Sequence, residues 1–390
     1  MRFYRIEISD RNDPSKTQVY TSRVGNINDP GALNVQFSAT TAGYASLKST
    51  CVIQIQGIPI KSISQANNLN DKNITIYGGF QKGLPLANPQ QNGIIFQGWI
   101  IQAFGNWLGT DMTLDLIVNP GTRKPQKSTT ATSPSTAKSA KIVSEDLPPP
   151  PPPTGSMEDP INGSFTWPAG IQLSVAIREF LKNAFPQYPE PRIQINPNLV
   201  IAYSIHEVYN TLSAFANWVK GFSKSIIGIY STTNGEYNGV EIALAPGNLL
   251  IVVDGTPSTN TSGTATEDAK TSTTSASSNS QKVSNPSYEQ KTIQLQFKDL
   301  IGQPTWISQG QVQFKCPMRA DIGYNDIIIF PEGIFPTIAP SEVASTYNYR
   351  NSSQQKGKFY VWEINHYGNF RQPTADAWVS LFRCAPFKHT

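Results

Sequence analysis

Two stretches of this 390-residue chain cannot bury a core, and they decide how the remainder can fold. The first runs from about Gly121 to Ser156. It is rich in Ser, Thr, Ala and Lys and carries a proline run from Pro148 to Pro153. Such a run favours stiff polyproline II geometry, which suits an extended linker. The second runs from about Thr256 to Tyr288 and is almost purely Ser, Thr, Asn and Ala. It has too few apolar side chains to offset the entropy of ordering it. Three regions are left to fold: 1–120, 157–255 and 289–390.

Region 1–120 reads as β. Phe3 to Ile8, Ala32 to Phe37 and Cys51 to Ile58 alternate apolar and polar residues, as does each of NITIY (73–77), IIFQGWIIQA (94–103) and DMTLDLIV (111–118). Gly, Asn and Pro punctuate the runs, and the GLPLANPQQNG stretch (83–93) reads as a turn-rich hairpin tip. Six strands in this length predict a small barrel or sandwich, with SQANNLN (64–70) as one short helix.

Region 157–255 is mixed. Leu173, Ala176, Ile177, Phe180, Leu181 and Ala184 recur at helical spacing until Pro186 stops them. IQI (193–195) and LVIAYSI (199–205) read as strands. A second helix follows Asn210, with Thr211 or Ser213 as its cap and Leu212, Phe215, Val219 and Phe222 as its stripe. GVEIAL and LLIVVD read as a hairpin across APGN. Region 289–390 returns to β, with strands in KTIQLQF, QVQFKCPM, DIIIF, KFYVWEINHYG and DAWVSLFR and an irregular stretch between Pro331 and Lys358. The fold class expected is mainly β with a smaller α+β part: two related tube-like barrels flanking an α+β middle module.

The two β regions share a pattern. Residues 99–106 read WIIQAFGN and residues 362–369 read WEINHYGN. Trp99, Phe104, Gly105 and Asn106 thus answer to Trp362, Tyr367, Gly368 and Asn369. Each copy lies on a predicted strand leading into a turn, and each is followed by a strand after an Asp, Asp111 or Asp376. This suggests duplication of one barrel. Three chains, each with two such units, would present six near-equivalent units in one ring, so a three-fold object could meet a six-fold one. The paired tryptophans suit either core packing within each barrel or a seam between barrels, and Trp107, Trp306 and Trp378 are equally open. Phe370 and Arg371, after the second Gly-Asn turn, could contact a neighbouring ring.

Little in the chain suggests catalysis. Its three histidines, His206, His366 and His389, are scattered, and the repeat sets Ala103 where His366 stands, a poor place for a general base. No HExxH helix, GxSxG elbow or phosphate-binding glycine loop occurs. Glu158 and Asp159 adjoin the proline-rich linker, where turn and solvation roles are expected. Cys51, Cys316 and Cys384 are too few and too far apart for a disulfide framework or a zinc pattern, and suit buried thiols in a reducing compartment. The densest basic cluster, Arg123, Lys124 and Lys127, sits in the linker, and a net charge of +4 is small for nucleic-acid binding. The start, MRFYRIEISD, alternates like a strand rather than a signal peptide, and no run is long enough to span a membrane. No catalytic residue, cofactor or metal is expected.

In order and spacing, the chain resembles the baseplate hub proteins of contractile-tailed phages (myoviruses), whose fold is shared with the N-terminal part of type VI secretion spike proteins. The resemblance rests on ITIYGGFQ…GIIFQGWI (74–100), TLSAFANWV (211–219) with GVEIAL and LLIVVD, DLIGQPTWI (299–307), QVQFKCPMRADIGYNDIIIFP (311–331), GKFYVWEINHYGNFR and ADAWVSLFRC. It implies a homotrimeric hub, made in the host cytoplasm and built into the tail baseplate of the virion. Its partners would be a central spike protein, a tail tube or tube-initiator protein, surrounding baseplate proteins and the tape-measure protein, with DNA only in transit through the lumen during ejection. The Ser/Thr- and Pro-rich stretches depart from a compact hub. The alternatives are a spike module of a type VI-like secretion or tailocin particle, disfavoured because no β-helical needle follows the last barrel before Thr390, and a β-rich adhesin or peptidoglycan-degrading tail protein.

Overall fold

The computed structural model describes residues 1–45, 49–80, 88, 91–123, 161, 163–230, 237–255, 291–308, 311–334, 336–338 and 357–386. Nearly all of both low-complexity stretches, most of the 83–93 turn and of 331–358, and His389 lie outside the described residues.

The alternation in region 1–120 becomes β1 (Arg2–Ser9), β2 (Thr17–Thr21), β3 (Arg23–Val24), β4 (Ile27–Asn28), β5 (Asn34–Ala42), β6 (Thr50–Gln56), β7 (Asn73–Phe80), β8 (Gly93–Leu108) and β9 (Asp111–Pro120). Successive strand side chains face opposite ways. Ile6, Ile8, Ile53, Ile55, Leu114, Leu116 and Val118 therefore fall together in one core. A 3-10 turn (Ala66–Leu69) stands where a short helix is expected, and helix α1 (Ile60–Ser64) precedes it. Strand β2 has no counterpart among the strands expected from sequence. It buries none of its residues, so it carries no apolar periodicity to read.

The middle region holds β10 (Gly163–Trp167), α2 (Leu173–Ala184), β11 (Arg192–Gln194), β12 (Ile205–Tyr209), α3 (Leu212–Tyr230), β13 (Val240–Ala245) and β14 (Leu249–Asp254). The helical spacing of Leu173 to Ala184 yields a helix with those bounds and buries all six apolar residues of the stripe. Thr211 caps α3, its Oγ1 accepting the Ala214 N–H at 3.2 Å. The expected strand over 199–205 is corrected. Leu199 and Ile201 bury their side chains, but their carbonyls accept the N–H groups of Leu173 and Gly170, and the strand is β12. A short apolar run does not distinguish a buried loop from a strand.

The last region contains β15 (Thr292–Gln294), β16 (Thr305–Ser308), β17 (Gln311–Pro317), β18 (Ile327–Ile329), β19 (Thr337–Ile338), β20 (Phe359–Asn369) and β21 (Trp378–Pro386). Its core gathers Trp306, Phe314, Phe330, Phe359 and Phe382. The molecule is mainly β with a smaller α+β part, as the sequence predicts. What the sequence does not predict is that both β regions share one sheet. Strand β20 pairs with β21 on one edge and with β5 on the other, from Glu363 opposite Ala42 to Asn369 opposite Gln36. The order runs β19–β16–β17–β21–β20–β5–β6–β9–β8–β7–β1–β2. The first core accordingly takes in Met318 and Trp378 from the last region.

The middle module is fastened to this sheet at several points. Tyr44 N–H reaches Ile242 O at 2.8 Å. Gly247 N–H reaches Gln97 Oε1 at 3.0 Å, and Asn248 Nδ2 reaches Thr122 Oγ1 at 3.0 Å.

Candidate assembly surface

The two copies of the repeated pattern lie on β8 and β20, the longest strands described, at 16 and 11 residues. Ala103 and His366 face inward, with 1% and 3% of their surface exposed, and Phe104 and Tyr367 face outward at 40% and 41%. Gly105 and Gly368 lie close against neighbours. A Cβ would stand 2.4 Å from the Ile63 carbonyl oxygen at Gly105, and 2.3 Å from the Phe37 ring at Gly368. Both glycines thus serve close approach. The bulges differ: the extra residue is Ile101 on β8 and Trp362 on β20, which are not equivalent in the repeat.

That difference separates the two tryptophans. Trp99 is buried within its own unit, with the Arg123 guanidinium 3.6 Å from its ring centroid and Arg123 paired to Asp71. Trp362, on the bulge, is half-buried against Ala243, Ile251 and Tyr324, at the seam with the middle module. Trp306 lies in the last core and Trp378 in the first, where its Nε1 donates to Gly79 O at 2.9 Å. Trp107 is 62% exposed.

Asn106 donates to Asp115, and Asn369 donates to Gln372 at 3.1 Å. Phe370 meets the Tyr4 ring edge-on at 4.9 Å. Arg371 donates through its guanidinium to the carbonyls of Pro30 and Ala32. Arg2 closes the same corner from the opposite side, donating to the Asn369 carbonyl at 2.8 Å and to that of Thr374 at 2.8 Å. Phe370 and Arg371 are therefore engaged with the first region of their own chain.

Two polar networks cross the seams. Arg383 Nη1 donates to Glu363 Oε2 at 2.9 Å, Asn365 Nδ2 to Glu363 Oε1 at 2.7 Å, and Thr40 Oγ1 to Asn365 Oδ1 at 2.5 Å. Glu363 is buried, so these bonds are needed to hold its charge. The second network joins the middle module to the last region. Lys220 Nζ is 2.7 Å from Glu241 Oε1, and Tyr324 donates to Glu241 Oε2 at 3.0 Å. Burial, and then the Glu241 charge, push the Tyr324 phenol well above its ordinary range, so it stays a donor. The repeat comparison did not mark these residues. The available signal was charge inside otherwise apolar strands, Glu241 and Glu363.

His366 shares a 2.8 Å hydrogen bond between its Nδ1 and Ser380 Oγ. Burial lowers its pKa to about 4, which keeps the imidazole neutral. Ser380 is fully buried, and its hydroxyl also accepts the Arg319 N–H at 3.0 Å, so this pair has the form of an interior joint. His366 also lines a cavity of about 530 Å³ where the three regions meet, along with Arg192, Lys291, Asp321, Tyr324 and Asp326. Burial pushes Asp326 up to about 6. His206 lies on β12, 3.3 Å from Thr166 Oγ1. Cys51, Cys316 and Cys384 are buried free thiols. Among the described residues no group of three or more His, Cys, Asp or Glu could hold a metal ion, and no helix is long and apolar enough to cross a membrane.

No protein-family model and no curated protein matches the chain. Solved structures that it resembles are phage-tail and type VI secretion proteins. A tail protein of Neisseria meningitidis MC58 aligns with a TM-score of 0.42 and 9% identity over 98% of this chain and 96% of that one. The 43 kDa tail protein of prophage MuSo2 from Shewanella oneidensis aligns at 0.42 and 6% over 99% and 97%. A type VI secretion component of E. coli, described as structurally similar to the T4 tail proteins gp27 and gp5, aligns at 0.41 and 7% over 94% and 77%.

Proposed function

We propose that this chain is a non-enzymatic baseplate hub of a contractile tail, assembled as a homotrimeric ring between a six-fold tube and a three-fold spike. The observation that carries the reading is the β5–β20 ladder. It joins two units bearing the same pattern edge to edge, so that one chain supplies two successive segments of a wall. Three chains then supply six. The outward face of the shared sheet supports a wall that DNA can pass. It presents Gln36, Ser38, Gln54, Asn106 and Thr113 beside the exposed Val52, Phe104 and Tyr367, and its Asp115 is held by Gln54 at 2.8 Å and by Asn106. Lys315 is paired with Asp376 at 2.8 Å, and Arg383 with Glu363 at 2.9 Å. Among the described residues few unpaired cations remain there to grip phosphate. In this reading the spike, the tube or its initiator, the surrounding plate proteins and the tape-measure protein are the partners, and the virion baseplate is the location.

The test is the mass of purified, untagged protein by light scattering, with negative-stain imaging. A species near three times the 42.8 kDa monomer, with a central pore, is expected. A monomer that persists at high concentration and beside a candidate spike would remove the ring. Lysis of peptidoglycan by the purified protein would overturn the non-enzymatic part.

A further inference from the structure

Three arginines gather where β1 begins, and none of them meets a carboxylate. Arg5, Arg123, Arg319 and Arg383 each reach an acidic side chain. Arg2 donates instead to the carbonyls of Asn369 and Thr374, and Arg371 to those of Pro30 and Ala32. A carbonyl satisfies the donor without neutralising its charge. Arg23 lies over the Phe3 ring, 4.6 Å from its centroid, and its buried Nε finds no acceptor among the described residues. Asp29 stands in the same corner, with its carboxylate on the Gly31 N–H at 2.8 Å. The corner is therefore positive.

The β3–β4 hairpin rises from this corner. Arg23 pairs with Asn28 and Val24 with Ile27, across a tight turn in which Gly25 has a φ of 60°. Cross-strand partners share a face, and successive pairs take opposite faces. Arg23 and Asn28 turn inward, Arg23 to Phe3 and Asn28 to Met1, whose Sδ is 2.6 Å from Asn28 Nδ2. Val24 and Ile27 turn outward and are 69% and 76% exposed. Neither packs into a core of the described residues, so folding gives no reason for them to be aliphatic.

We propose that the β3–β4 hairpin is a lipid-facing element, which lays Val24 and Ile27 on an anionic bilayer surface while Arg2, Arg23 and Arg371 stand at the depth of the headgroup phosphates. Aliphatic side chains beside cations that no carboxylate neutralises form an interfacial anchor, in which buried apolar area and attraction to anionic lipid add together. The two strands of the hairpin bond to each other, which lowers the cost of taking their backbone out of water. Other partners fit less well. A protein interface of ordinary size covers roughly 800 Å² on each side and centres on aromatic anchors, whereas the apolar face here is two aliphatic side chains. A nucleic acid would meet the arginines and leave Val24 and Ile27 in water. The inference does not rest on the ring reading. A ring would present the hairpin once per copy and strengthen binding through avidity.

The test is flotation of the full chain with vesicles of one part phosphatidylglycerol to two parts phosphatidylcholine, beside vesicles of phosphatidylcholine alone, with duplex DNA titrated in parallel. The wild-type chain is expected to bind the anionic vesicles at least about tenfold more tightly than the neutral ones, and less tightly as salt rises. The double variant Val24→Asp, Ile27→Asp should lose about tenfold or more, and Arg23→Gln about fivefold, the share of one cation at the headgroups. Val208→Asp, at an exposed aliphatic site on β12, should bind as wild type does, and thermal melts should show every variant folded. A wild-type chain that ignores the anionic vesicles overturns the proposal. Vesicle binding that the double variant retains in full overturns the hairpin as its site. Tight binding to DNA that Arg23→Gln weakens and the double variant keeps, with no binding to vesicles, assigns the arginines to nucleic acid instead.

Discussion

The corner after β20 and the tip of β8 carry one short pattern and have opposite surroundings. At the first, Phe370 is packed, its N–H is bonded and Arg2 clamps the turn. At the second, Trp107 is open to solvent and its ring N–H donates to the carbonyl of Gly109, two residues on. The local pattern sets the same inward and outward faces in both places. Whether an apolar tip is buried depends on which element lies beside it, and the repeat encodes the tip without the neighbour.

This contrast can be broken most strongly at Trp378, which stands opposite Gly368 as Leu114 stands opposite Gly105. It belongs to the last region but lies buried in the first core, so Trp378→Ala is expected to cost about 3–5 kcal/mol in urea unfolding at fixed protein concentration. A smaller loss would mean that the two β regions are less firmly joined than the shared sheet implies.

A comparable effect is expected from His366, whose sister position holds Ala103. The unfolded chain takes up this proton below about pH 6.5 and the folded chain only near pH 4. The contribution is therefore complete above pH 6.5 and is lost as pH falls toward 4, by up to about 3 kcal/mol. Asp326 works in the opposite direction. Its carboxyl is raised from 3.8 to about 6, so the folded chain takes that proton first and gains as pH falls between those values. The difference between wild type and His366→Gln across this range isolates the histidine, and an unchanged pH slope in the variant would refute the assignment.

Phe370→Ala should cost about 2–3 kcal/mol, because the ring is packed against Tyr4 and Trp378. Trp107→Ala should change monomer stability by less than about 0.5 kcal/mol, since its ring is mostly in water. Equal losses at the two positions would erase the contrast. A smaller loss than at Phe370 is expected at Arg2. Removing its guanidinium frees the carbonyls of Asn369 and Thr374 at an exposed rim, for about 1–2 kcal/mol in Arg2→Ala, read as a fall in thermal midpoint.

Much of the local structure was legible. The six apolar residues from Leu173 to Ala184 define α2, and alternation marks β1, β6, β8 and β9 to within a few residues. The repeat could also be read, and two of its positions share burial, Ala103 with His366 and Phe104 with Tyr367, while Trp99 is buried and Trp362 half-buried, and Gly105 is exposed and Gly368 buried. The partners of these residues were not legible. Thr40 bonds Asn365 across 325 positions of sequence, and Glu241 meets Tyr324 across 83. The bulge at Trp362, which turns that ring toward the middle module, has no marker in a pattern shared with Trp99.

By itself the sequence determined where a core could form and which face of each strand turns inward. These follow from the spacing of apolar side chains, a property of each segment alone. Only the tertiary structure decided that β5 completes β20 and that no strand of this chain's described residues completes β8 beyond Trp99. The reason is physical: every strand edge offers the same repeating N–H and C=O groups, so pairing is settled by which edges the folded cores bring within reach.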